Sequence, residues 1–222
     1  MTVPESYPLV DEKRLSIYML RIILIRPGST EFDEQRRIKG TLDIPLSETG
    51  STQVARIVEQ THAISLDHVY TSPCRCAQQT AAALAADHKL RAKTLEEFQN
   101  LDHGLWHGKL IEEVRQTQPK VYKQLVEHPE TVCPPGGEPI GDAIHRINEA
   151  LTKLIKKHRA GVIALVVPEP VASMVLGMLD QEQTGDLWKS ECECGNWEVI
   201  DLKSPQVLSW RGLNELAPAI KA

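Results

Sequence analysis

At 222 residues the chain is long enough for one domain with a sizeable core, and 41% hydrophobic with 25% charged residues excludes a disordered chain. A net charge of -5 carries no nucleic-acid footprint. Five cysteines, an odd number in a chain too large to need staples, read as reduced thiols of a cytoplasmic protein.

Met1–Arg14 is polar and acidic with two prolines, unlike a signal peptide. Residues 1–19 are therefore expected to form an N-terminal extension, and residues 20–222 a single α/β domain. The apolar run 15–25 is short and contains Arg21, so it does not span a bilayer. Arg21–Arg26, closed by Pro27-Gly28, reads as a buried strand and a tight turn. Ligands of open α/β sheets sit at the carboxyl ends of strands, which puts a site at Arg26.

A polar loop with Gly40 and Pro45 leads to a helix capped by Ser47, with Val54, Ile57 and Val58 on one face. His68–Ser72 is the second strand, and Pro73 is expected to open a helix through the Ala-rich run Ala81–Ala86. Ala92–Glu97 is a third strand candidate. A loop with Gly104 and Gly108 precedes a helix over Leu110–Glu127 that Pro119 interrupts. After the loop Pro134–Gly137 comes a helix over Asp142–His158. The β-branched run Val162–Val167 is the best central strand. Pro168-Glu169-Pro170, an apolar helix Val171–Leu179, and strands Trp197–Leu202 and Val207–Trp210 complete the chain. Strands alternate with helices throughout, so a three-layer α/β sandwich is expected, with a mostly parallel sheet between helices.

Four ordered blocks over residues 20–202 resemble the histidine phosphatase superfamily, which includes phosphoglycerate mutases. The blocks are Arg26-Pro27-Gly28-Ser29-Thr30 running into Gly40–Gly50, Ser72–Ala81, Gly104-Leu105-Trp106-His107-Gly108, and Val166–Pro170. Pro135-Gly136-Gly137-Glu138 matches a further loop of that family. The resemblance implies a phosphoglycerate mutase-like fold and phosphoryl chemistry on a nucleophilic histidine.

At the pocket positions this chain departs from the family pattern. The nucleophilic His falls on Pro27, an Asn on Asp33, a phosphate-binding Arg on Cys76, the acidic Glu on Asn100 and a second His on Glu169. Arg26 and Gly28 keep the family residue. Arg75 stands one position early, and a helix turns it about 100° away. Glu97 reaches the acid position only through a three-residue insertion.

Pro27 cannot attack phosphorus and Asn100 has no acidic proton. An ion pair at about 4 Å is worth roughly 4 kcal/mol at an effective dielectric of 20, and Cys76 and Glu169 forfeit attractions of that order. The expectation is therefore a non-catalytic superfamily member that binds a partner protein or small ligand through Arg26, Gly28, Asp33, Cys76, Asn100 and Glu169. The alternative is a phosphatase or mutase in which Glu97, Glu169 or Asp33 serves as acid or base. Arg26 is expected to pair with Glu169 or Asp33.

No cofactor is expected. Cys74-Arg75-Cys76 and Cys192-Glu193-Cys194 offer four thiols of the kind that hold zinc or iron–sulfur clusters, but Cys74 falls where the family packs a Leu, and no metal site is assigned. His103 and His107 are expected to be ordinary, partly exposed side chains. Neither a nucleic-acid nor a membrane partner is expected, and a homodimer is left open.

Overall fold

The computed structural model describes residues 19–128, 131–180 and 193–202. The expected extension at residues 1–19 (apart from Met19), the strand Val207–Trp210 and Cys192 lie outside the described residues. Strands β1 (Leu20–Ile25), β2 (His68–Thr71), β3 (Ala92–Thr94), β4 (Gly161–Val166) and β5 (Trp197–Leu202) form one sheet in the order β3-β2-β4-β1-β5. All neighbours are parallel except β5, which runs antiparallel to β1. β4, the strand expected to be central, holds the middle of the sheet.

β1 shows why the sheet is covered on both faces. Ile22 and Leu24 share one core with Ile147 and Leu151, whereas Ile23 and Ile25 share another with Ile57 and Leu84. Successive strand side chains point to opposite faces, so an unbroken apolar run requires cover on each. Helices α2 (Glu48–Thr61) and α3 (Arg75–Asp87) cover one face. Helices α6 (Ile140–Lys157) and α7 (Val171–Asp180) cover the other. Each isoleucine so buried contributes roughly 1.5–3 kcal/mol. The result is the expected three-layer α/β sandwich.

Local chemistry sets the helix starts. Ser47 Oγ accepts the Gly50 N–H at 2.9 Å and caps α2. α1 (Glu31–Glu34) is closed by a capping box between Thr30 and Asp33. α3 starts at Arg75 with Cys74 as its N-cap, two residues later than Pro73 suggests. The orphan Arg75 N–H is instead satisfied by Asp43 Oδ1 at 2.9 Å, across the chain. The expected break at Pro119 separates α4 (Ile111–Thr117) from α5 (Pro119–Glu127). β3 is shorter than expected, because the chain enters a 3-10 turn at Glu96–Phe98 that buries Phe98. Among the described residues no helix is long and apolar enough to cross a membrane.

Candidate active site

The site lies beyond the carboxyl ends of β1 and β4, two paired parallel strands. Arg26 follows β1 and Glu169 follows β4, and both are buried. Arg26 Nε donates to Glu169 Oε1. Arg26 Nη1 reaches Glu198 Oε1 at 2.6 Å and Asn196 Oδ1 at 3.3 Å, and Glu193 lies 3.9 Å from Nε. Glu169 Oε2 accepts the Ser173 N–H at 3.2 Å, in the first turn of α7. Burial pushes the Glu169 carboxyl above its ordinary value, with Arg26 and Ser173 pulling it back. Arg26 stays cationic throughout the physiological range.

Pro27 is accommodated by the ladder beside it. Arg26 N–H donates to Asn196 C=O at 2.9 Å, and Gly195 N–H donates to Pro27 C=O at 2.7 Å. The pairing asks Pro27 only for its carbonyl, so its missing N–H costs nothing. Gly28 is needed for close packing: a Cβ there would lie 2.3 Å from the Gly50 carbonyl oxygen.

Asp33 does not meet Arg26. Its Oδ2 accepts from Thr30 N and Thr30 Oγ1, both at 2.7 Å, and its Oδ1 accepts from Lys39 Nζ. Of the two expected partners for Arg26, the fold uses Glu169 alone. Lys39 is the residue that the sequence reading misses. Its ammonium is buried; burial alone would lower its pKa, but the Asp33 carboxylate beside it outweighs that cost and raises it. The signal was present: Lys39 sits between buried Ile38 and Gly40. Ile38 exchanges backbone hydrogen bonds with Gly108 and Lys109, and its side chain enters the core. The next side chain of such an extended segment is turned to the other side.

Cys76 is buried in the first turn of α3, whereas Arg75 is exposed, as its helical position implies. Cys76 Sγ lies 3.7 Å from Cys74 Sγ. Asn100 is buried and ties itself to the same wall: its Nδ2 donates to the Gly40 carbonyl at 3.1 Å. Glu97 is exposed on its 3-10 turn. His103, expected to be partly exposed, is 2% exposed, its ring 6.4 Å from that of Trp106. Among the described residues no group of three or more His, Cys, Asp or Glu side chains is placed to hold a metal ion.

Two chains of contact thus join the sequence-derived positions. One runs Glu169–Arg26–Asn196, and the other joins Asp33 to Lys39, next to Gly40, whose carbonyl holds Asn100. The segment Gly195-Asn196 borders the first of these, through Pro27 and Arg26.

The family model described as histidine phosphatase superfamily (branch 1) matches residues 22–211. Phosphoserine phosphatase 1 of Hydrogenobacter thermophilus is 28% identical over 186 residues, 83% of this chain and 88% of that protein. The solved structure of YhfR of Bacillus stearothermophilus is 25% identical, with a TM-score of 0.70 over 81% of this chain and 90% of that one. Phosphoserine phosphatase of Entamoeba histolytica, solved with 3-phosphoglyceric acid, is 23% identical and gives a TM-score of 0.70 over 81% and 89%.

These relatives overturn the expectation of a non-catalytic binding protein: the sequence relative matched over most of both chains is named as a phosphatase. That expectation rested on the family positions alone, and the buried Lys39 ammonium lies outside them.

Proposed function

Because the chain belongs to the histidine phosphatase superfamily (branch 1), we propose that it is a phosphomonoester hydrolase or mutase whose reacting groups stand at positions other than the family's usual ones. The observation that carries this reading is the buried Lys39 ammonium, held by Asp33. Phosphoryl transfer needs positioned positive charge more than covalent chemistry. Arg26 and Lys39 supply two such charges, and Asp33 holds Lys39 in place.

Glu169 is the acid–base group. Its carboxyl is raised by burial, so the protonated form extends above the ordinary carboxylate range. Protonated Glu169 hands its proton to the leaving oxygen as the P–O bond breaks and leaves Arg26 free to hold the phosphoryl oxygens, while water forms the new P–O bond and gives up a proton that restores protonated Glu169. Residues 20–222 act as one domain in this reading, supported by the extent of the family match. Free Cys74, Cys76, Cys133 and Cys194 support a reducing, cytoplasmic location.

The test is phosphate release by the purified chain from a panel of phosphate monoesters, phosphoserine first because that is what the named relative's name specifies. Arg26→Ala is expected to lower turnover by about 100-fold or more, and Lys39→Met by about 10-fold or more. Release that both variants leave intact, or no release from any ester in the panel, overturns the reading.

A further inference from the structure

We propose that Cys74 and Cys76 form a hydroperoxide-oxidised dithiol, with Cys74 the attacking sulfur and Cys76 the resolving one. The geometry assigns the roles. The sulfurs lie 3.7 Å apart across a single intervening residue. Cys74 is half-buried, whereas Cys76 is 2% exposed beneath it. A reagent from solvent therefore meets Cys74 first. Cys74 is also the N-cap of α3, in extended conformation, and its C=O accepts the first helical hydrogen bond, from the Gln78 N–H at 3.0 Å.

The surroundings favour the thiolate at Cys74. The hydrogen bond that its sulfur shares with Cys76 is the largest of the influences that lower the Cys74 thiol to about 7 against the opposition of burial. Ser72 Oγ donates at 3.5 Å, and the Ala77 N–H and the Lys39 ammonium act in the same direction. Cys76, buried and sharing that hydrogen bond, is held well above its ordinary value. An accessible thiolate beside a resolving thiol is the arrangement that redox-sensitive cysteines need.

The reaction balances with a hydroperoxide as the oxidant. Cys74 thiolate attacks the terminal peroxide oxygen, the O–O bond breaks, and the departing oxygen takes a proton. Cys74 is now a sulfenic acid. Cys76 sulfur then attacks Cys74 Sγ, the S–O bond breaks, and the proton of Cys76 leaves with the oxygen as water. Two thiols have become a disulfide, and hydrogen peroxide has become two waters. A thiol reductant reverses the change.

The experiment treats the full chain with hydrogen peroxide at pH 7, blocks remaining thiols, and maps the products by mass spectrometry after trypsin. Arg75 lies between the two cysteines, so cleavage leaves a peptide pair joined only by the disulfide. The expected result is that linked pair, reversed by dithiothreitol and formed at least about tenfold faster than exposed Cys133 is oxidised. Cys76→Ser is expected to trap Cys74 as a dimedone-reactive sulfenic acid. A dominant disulfide to Cys194 or Cys133, or Cys74 passing to sulfinic acid in the unaltered chain, overturns the proposal.

Discussion

Arg26 and Glu169 are paired across the carboxyl ends of two adjacent strands, but the two residues are not equally dependent on each other. Arg26 keeps Glu198 and Asn196 if Glu169 is neutralised. Among the described residues, Glu169 has only the Ser173 N–H besides Arg26. Removing one member of a buried pair costs about 3–5 kcal/mol when the other is left uncompensated. Arg26→Met should therefore destabilise by about 3 kcal/mol at pH 8, and Glu169→Gln by less than about 1 kcal/mol. Urea unfolding of both variants checks the asymmetry; equal losses would contradict it.

The same pair sets a pH dependence. The folded-state pKa of Glu169 is raised above its ordinary 4.5. The folded chain therefore binds a proton that the unfolded chain has already released, and stability falls as pH rises from 4.5 toward the folded value. Below 4.5 both states are protonated and the contribution is flat. Glu169→Gln should remove this slope, as measured by unfolding free energy against pH. Arg26→Met should steepen it, because an unpaired Glu169 resists ionisation further.

Phosphate release should follow the protonated form of Glu169. The acid donates its proton and at the same time releases Arg26, so turnover should decline on the alkaline side as Glu169 ionises. A kcat profile that stays flat from pH 5 to pH 8, in a protein whose turnover still requires Arg26, would remove Glu169 from this role.

The fold was legible because its signals are apolar and periodic. Val162–Val167 could only be a strand covered on both faces, and the structure puts β4 at the centre. The Ser47 cap and the break at Pro119 were equally readable, since each follows from one residue's backbone chemistry. The site was read in part. Arg26 with Glu169 followed from opposite charges at two strand ends. Lys39 was missed because a loop lysine is ordinarily solvated, and only the burial of its neighbours marks it as turned inward. His103 was misjudged for the same reason, its polarity outweighing its place beside Trp106.

Lys39 and Cys76 both act on Cys74, but unequally. The hydrogen bond shared with Cys76 is the largest cause of the lowered Cys74 thiol, and Lys39 the smallest of those named. Cys76→Ala should therefore raise the midpoint of Cys74 alkylation more than Lys39→Met does. Alkylation rates against pH, followed on the peptide that carries Cys74, give both midpoints. A larger shift in Lys39→Met would reverse the order of the two influences.

Gly28 and Gly50 form the tightest backbone approach bordering the site, and each should resist even a methyl group. A Cβ on Gly28 would lie 2.3 Å from the Gly50 carbonyl oxygen and 2.9 Å from Val54 Cγ2. A Cβ on Gly50 would lie 2.0 Å from the Ser29 carbonyl oxygen. That carbonyl accepts from Ser47 N at 2.9 Å, which ties the turn after β1 to the cap of α2. Neither obstacle can rotate away, because each includes main chain. Overpacking of this kind costs roughly 1–3 kcal/mol, and the loss of a cap about 1 kcal/mol more. Gly50→Ala should incur both costs, and Gly28→Ala mainly the first. The larger loss of thermal stability in Gly50→Ala, together with lowered phosphate release in both, would show that α2 is held in place through the same turn that positions Arg26. If both variants unfold at the temperature of the unaltered chain, the turn is more compliant than its geometry implies.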